Sequence, residues 1–198
     1  MSVMLNTLSD DKLADLLRGG GVGVLPTDTV YGVVCVASHE LGVRRLYKLK
    51  SRDKKPGTII AANIDQLIDL GLKARYLKAV EEYWPGPVGV VIPCVQLQYL
   101  HQGVGSLVVR ISDNQQLNYL LLTTGPLLSS SANQPGQPVA NTIQEAQDYF
   151  GDTVDFYVDG GDLSGQKPST LIRIVDDAVE VLRDGAVKID EETGRITH

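Results

Sequence analysis

The chain has 198 residues and a mass of 21.4 kDa, the size of one ordinary domain with a core of its own. It is 43% hydrophobic and 21% charged with a mean hydropathy of -0.02, which excludes a disordered or fibrous protein. A net charge of -6 and a pI of about 5.0 argue against a generally basic nucleic-acid binder.

In chain order, Ser9-Asp10-Asp11 caps a short helix with Leu13, Leu16 and Leu17 on one face, which Gly19 to Gly21 stop. Val22 to Leu25 reads as a buried strand ended by Pro26, and after a turn at Thr27 to Gly32 a second apolar run spans Val33 to Ala37. A helix follows from His39 to Lys50. Thr58 to Ala62, Val88 to Pro93 and Leu107 to Ile111 read as strands, and Ile64 to Leu70, Ala74 to Tyr83, Asn114 to Leu122 and Thr142 to Phe150 as helices. The last third is strand-like at Asp155 to Asp159, Leu171 to Val175 and Val179 to Leu182. Interleaved strands and helices without repeats or a composition break predict one α/β domain, residues 9–186, built on a twisted mixed sheet with flanking helices. Residues 187–198 are expected to form a loose polar tail.

No apolar run approaches the roughly 20 residues of a membrane span, and Met1 to Asp11 lacks the basic start and apolar stretch of a secretory signal. Cys35 and Cys94 lie far apart, and His39, His101 and His198 are scattered, so neither a disulfide framework nor a zinc spacing is present. A cytoplasmic protein without membrane association is expected.

Charge is unevenly placed. Seven of the 18 basic residues fall between Arg44 and Lys55, whereas between Lys78 and Lys167 the sole Lys or Arg is Arg110, inside an apolar run. The basic stretch fits a solvated helix end, and Arg110 fits a structural ion pair. If Lys50-Ser51-Arg52 is extended, the two cations point the same way and form a clamp for a polyphosphate. Pro26-Thr27-Asp28-Thr29-Val30-Tyr31-Gly32 offers two hydroxyls, a carboxylate and a phenol, or simply a hydrogen-bonded turn. Ser129-Ser130-Ser131-Ala132-Asn133 places small donors at a strand-to-loop junction, suited to phosphate oxygens or to a polar loop. No G-x-S-x-G surrounds these serines, and no G-x-x-x-x-G-K is present, so a serine-hydrolase elbow and a P-loop are both excluded.

In this order, P-T-D-T-V-Y-G (Pro26 to Gly32), K-x-R (Lys50, Arg52), W-P-G-P (Trp84 to Pro87), V-x-R (Val108 to Arg110), S-A-N-x-x-G (Ser131 to Gly136), S-T (Ser169, Thr170) and L-R-x-G (Leu182 to Gly185) resemble the YrdC/TsaC family of threonylcarbamoyl-AMP synthases. The resemblance implies a YrdC-like, DHBP synthase-like α/β fold with a large basic concave pocket. It implies a nucleotidyltransferase that makes L-threonylcarbamoyladenylate and pyrophosphate from L-threonine, bicarbonate and ATP. The product would pass to tRNA threonylcarbamoyltransferase proteins for tRNA modification. Mg²⁺ would arrive with ATP, no cofactor would be tightly bound, and a weak contact with RNA is compatible.

Carried over residue by residue, the family pattern makes Lys50, Arg52, Ser131 and Asn133 the catalytic tetrad on the ATP phosphates, with Ser106 and Arg183 also on the nucleotide. It places Thr29, Arg110, Ser129 and Ser169 on L-threonine. Ser51 departs from the Gly of K-G-R, Gly89 from a common Thr, and Pro135 from a Ser. The alternatives are a YrdC-like RNA-binding module, a paralogue without the threonine-dependent activity, and a carbamoyl transferase of the same superfamily.

Overall fold

In the computed structural model, which describes residues 1–176 and 178–197, strand alternation sorts side chains onto the two faces of a ten-stranded mixed sheet. The order across it is β1 (Val3–Leu5), β8 (Phe156–Val158), β2 (Gly23–Pro26), β3 (Tyr31–Val36), β7 (Leu127–Ser131), β4 (Thr58–Ala61), β6 (Ser106–Ile111), β5 (Val88–Pro93), β9 (Thr170–Val175) and β10 (Ala178–Arg183). The pairs β1–β8, β2–β8, β4–β6 and β5–β9 are parallel, and the remainder antiparallel.

The helices are α1 (Asp11–Arg18), α2 (Glu40–Leu49), α3 (Ile64–Asp69), α4 (Ala74–Lys78), α5 (Gln98–His101), α6 (Gln115–Thr124) and α7 (Ile143–Phe150). Their starts are written in the sequence. Asp10, Asn63, Asn114 and Thr142 each accept a backbone N–H of the first turn, contributing about 1 kcal/mol apiece.

One sheet face carries Val33, Cys35, Ile59, Val90 and Val109, packed with Val43 and Leu46 of α2, Leu67 of α3, Leu77 of α4, Leu100 of α5 and Phe150 of α7. The other face carries Leu25, Val34, Val36, Ile60 and Leu127, covered by Leu13 and Leu17 of α1 and Leu117, Leu120 and Leu121 of α6. Each fully buried leucine stabilises by roughly 2 kcal/mol. This second cover stops partway across the sheet, and the candidate site lies on the part left open.

The expected elements form, with five differences, one of them the short additional helix α5. Val3–Leu5 is an additional strand, held by parallel pairing to Phe156–Val158. The predicted helix from Ala74 to Tyr83 ends at Lys78 and resumes as a 3₁₀ turn over Glu81–Tyr83, just before Trp84-Pro85, where proline disfavours helix in the residue before it. The strand-to-loop junction expected in the Ser129–Asn133 segment falls after Ser131, since β3 pairs with all three serines and β4 with Ser129, which makes β7 a further strand. The expected loose tail is instead a hairpin of β11 (Lys188–Ile189) and β12 (Ile196–Thr197). Val187, Ile189 and Ile196 pack against the larger core, Thr170 Oγ1 donates to Val187 O, and Tyr83 OH donates to Gly194 O.

Candidate functional site

Four strands bring their open-face residues side by side. Gly32 of β3 pairs with Ser131 of β7, Thr58 of β4 pairs with both Ser129 of β7 and Val108 of β6, and Ile60 pairs with Arg110. Together with Thr27, Thr29, Arg52, Ser169, Leu171 and Arg183 they line a cavity of about 220 Å³. Among the described residues its lining holds three arginines and no carboxylate. At Gly32 a Cβ would stand 2.7 Å from Ser129 Oγ, so a side chain here would displace that hydroxyl.

Seven of the predicted site residues, Thr29, Arg52, Arg110, Ser129, Ser131, Ser169 and Arg183, meet at this cavity. Lys50, Asn133 and Ser106 lie outside its lining. Lys50, 4% exposed, sits in the wall: its Nζ donates to Ser131 O (2.8 Å), to Asn133 Oδ1 (2.9 Å) and to Asn133 O. Ser131 Oγ donates to the same Asn133 Oδ1 at 2.8 Å, so Lys50 and Asn133 set the hydroxyl of Ser131. Ser106 begins β6, on the same face as Val108 and Arg110 but two alternations away.

The expected extended Lys50-Ser51-Arg52 clamp does not form. Lys50 caps α2, Ser51 N donates to Lys48 O (3.1 Å), and Arg52 N donates to Tyr47 O (3.0 Å), the double bond pattern of a Schellman motif. Ser51 occupies its left-handed position with φ of 46°, where glycine is favoured. The turn sends Lys50 into the wall and Arg52 into the cavity. Arg52 Nη1 then donates to Lys55 O (3.2 Å) and Pro56 O (3.1 Å).

At the opposite end of the motif series, Arg183 donates through Nη2 to Ser169 O (2.8 Å) and to Ser169 Oγ (3.3 Å). Gly185 is what lets these segments meet: a Cβ there would lie 2.3 Å from Pro168 O. Gly89, paired with Leu171, is buried beneath the floor, and a Cβ would stand 2.9 Å from Val108 Cγ1, so a threonine at this place would press Val108 toward the cavity.

Electrostatics follow from burial. Lys50 is pushed down from 10.5 to about 8, mainly by desolvation and then by Arg52. Arg52 is lowered by desolvation, and Arg183 by desolvation together with Arg52 and Arg110. Buried Lys50 and half-buried Arg52, with Arg183 beside them, concentrate positive charge that favours anionic oxygen. Arg110 alone is already answered: its Nη1 is bonded to Asp28 Oδ2, in a pair whose side chains are 4% and 2% exposed. Asp28 was not singled out by sequence, where the turn segment gave it no partner. The signal was Arg110 itself, since a lone arginine in a buried strand requires a counter-charge.

Among the described residues, no group of three or more His, Cys, Asp or Glu side chains gathers to hold a metal ion, and no helix is long and apolar enough to cross a membrane. Cys35 and Cys94 are free and buried.

The Sua5/YciO/YrdC family model, described as "Telomere recombination", matches residues 15–185. A relative from Pseudomonas aeruginosa named threonylcarbamoyl-AMP synthase is 37% identical over 175 residues, covering 86% of this chain and 94% of its own. Another of that name from Pseudomonas putida is 32% identical over 187 residues, covering 92% of this chain and 100% of its own. Among solved structures, the H234A/Y235A form of P. abyssi Sua5 superposes with a TM-score of 0.87 at 25% identity, covering 99% of this chain and 65% of that longer one. P. abyssi Sua5 complexed with L-threonine gives 0.85 at 24% identity, over 96% of this chain and 60% of that one. E. coli YciO gives 0.79 at 23%, over 93% of this chain and 96% of that one. The family match over most of the chain, the identity to those relatives and the seven motif residues around one cavity agree: this chain belongs to the Sua5/YciO/YrdC family.

Proposed function

We propose that the protein is a threonylcarbamoyl-AMP synthase, a nucleotidyltransferase that joins L-threonine, bicarbonate and ATP into L-threonylcarbamoyladenylate with release of pyrophosphate. The observation that carries this reading is the convergence of Thr29, Arg52, Arg110, Ser129, Ser131, Ser169 and Arg183 on one cavity. The relatives' shared name supports it.

In this reading the inner end, with Arg110, Thr29, Ser129 and Ser169, takes the amino acid. A guanidinium is the natural partner of its carboxylate. Arg52 and Arg183, with the hydroxyl of Ser131, take the phosphates. Lys50 and Asn133 fix Ser131 and add charge from the wall, and Ser106 extends the same strand face toward the nucleotide. Threonine binds as the zwitterion; its ammonium gives up a proton, and the neutral amine captures bicarbonate-derived CO₂ as an N-carboxylate, the protons released passing to bicarbonate as it loses water and to solvent. A carboxylate oxygen then forms the new bond to the α-phosphorus while the bond to pyrophosphate breaks. Charge building on the α-phosphoryl oxygens meets Arg52 and Lys50. Mg²⁺ enters as part of the MgATP substrate, its oxygens supplied chiefly by the phosphates, since the cavity lining offers no carboxylate. Transfer of the adenylate to tRNA threonylcarbamoyltransferase proteins would follow.

The reading as an RNA-binding module is not favoured, because Lys50 and Arg110 are only 4% and 3% exposed, whereas a nucleic-acid backbone requires cations on an open surface. The test is pyrophosphate release by the purified protein with MgATP. Release is expected to require both L-threonine and bicarbonate and to be weaker with serine; release indifferent to either one overturns the reading.

A further inference from the structure

We propose that Asp28 sorts the two substrates: by neutralising Arg110 it makes the inner end of the cavity a site for a zwitterion, and so keeps polyphosphate on the unneutralised Arg52 and Arg183. The proposal rests on the reading of the cavity given above.

Three observations carry it. Of the arginines that line the cavity, Arg110 is ion-paired to a buried carboxylate, whereas Arg52 and Arg183 donate to neutral oxygens, those of Lys55 and Pro56 and of Ser169. The two ends therefore differ in charge although both present guanidinium groups. Second, the pairing leaves Arg110 donor capacity. Its Nη2 reaches Thr29 Oγ1 at 3.4 Å and Thr27 Oγ1 at 3.5 Å, contacts long enough that a carboxylate oxygen is a better acceptor. An amino acid, with no net charge, gains those bonds at no cost in charge balance. A triphosphate would place several negative charges near Asp28, with Arg110 already compensated.

Third, Asp28 Oδ1 is buried and has no hydrogen-bond partner. An asparagine could accept from Arg110 in the same geometry without burying a second charge. What the carboxylate adds is its charge. Asp28 does not line the cavity, so it acts through Arg110 as a positioning and specificity residue.

The experiment is calorimetric titration of the full chain with inorganic tripolyphosphate and, separately, with L-threonine, at two salt concentrations. Asp28→Asn is expected to bind tripolyphosphate about tenfold more tightly than the wild type, with a steeper salt dependence, and L-threonine no more tightly. In that variant tripolyphosphate should also compete with L-threonine. A gain of binding is not what damage to the fold would produce. If Asp28→Asn fails to fold because Arg110 is left unpaired, the comparison passes to the wild type, in which saturating tripolyphosphate should leave the affinity for L-threonine unchanged. Equal tripolyphosphate affinities of wild type and a folded Asp28→Asn, or competition between tripolyphosphate and L-threonine in the wild type, overturn the proposal. If wild type binds no L-threonine but the tripolyphosphate contrast is present, the substrate reading fails and the role of Asp28 stands.

Discussion

Strand β7 runs through two different environments without changing its geometry. On one face Leu127 lies under α1 and α6, while Ser129 and Ser131, two and four residues on, open into the cavity. The neighbouring strands make the same transition, from Val36 and Val34 to Gly32 on β3 and from Ile60 to Thr58 on β4. The covered end is apolar because helices pack onto it; the other end is polar because it lines a cavity, although Ser129 and Arg110 there are little exposed. Site and core are one surface, distinguished by where the helical cover ends.

Exchanging the residue types breaks the comparison most sharply. Leu127→Ser puts a hydroxyl under the helices and should cost about 3 to 5 kcal/mol in denaturant unfolding. Ser131→Ala at the open end should cost under about 1 kcal/mol while slowing pyrophosphate release; a similar loss of stability in both would erase the distinction. At the open end, Arg52→Ala should lower the rate of pyrophosphate release by about 10²- to 10³-fold with the melting transition preserved.

The wall between the two environments has its own signature in pH. Lys50 gives up its proton near pH 8 in the folded chain and near 10.5 in the unfolded one, because burial and Arg52 disfavour its charge. Between those values the unfolded state holds more protons, so stability rises with pH, by an amount on the order of 3 kcal/mol across the window. Tyr47 and Tyr157, pushed up to about 12 by burial, act the other way at higher pH. The difference between wild type and Lys50→Met therefore isolates the effect: the variant should lose the rise between pH 8 and 10. A gain in stability is expected at Ser51, where Ser51→Gly relieves the left-handed backbone and should add about 1 kcal/mol, seen as a melting temperature a few degrees higher.

Sequence made most of the sheet and its helices legible because their apolar periodicity is local. It left open where strand gives way to loop in the Ser129–Asn133 segment, since three serines carry no strand signal and their extended form is imposed by pairing with β3 and, at Ser129, with β4. It placed seven site residues at the cavity through motifs, yet it had Lys50 and Arg52 pointing together. A glycine-type turn at a serine was the reason, and only the helix-end hydrogen bonds reveal it. Asp28 stayed hidden because its partner lies 82 residues away. The tail hairpin was missed because its few apolar residues, Val187, Ile189 and Ile196, find a surface only once the sheet exists.

The strand order has a consequence for synthesis on the ribosome. β2 and β3 form one group, β4, β6 and β5 another, and β7 is the strand inserted between β3 and β4 that joins them. Both groups emerge before Leu127 is translated, and until then each presents an unpaired edge to solvent or to a chaperone. That joining strand also carries Ser129 and Ser131, while Ser169 and Arg183 follow it in the chain, so the cavity is complete only after β9 and β10 have joined the sheet that β7 links.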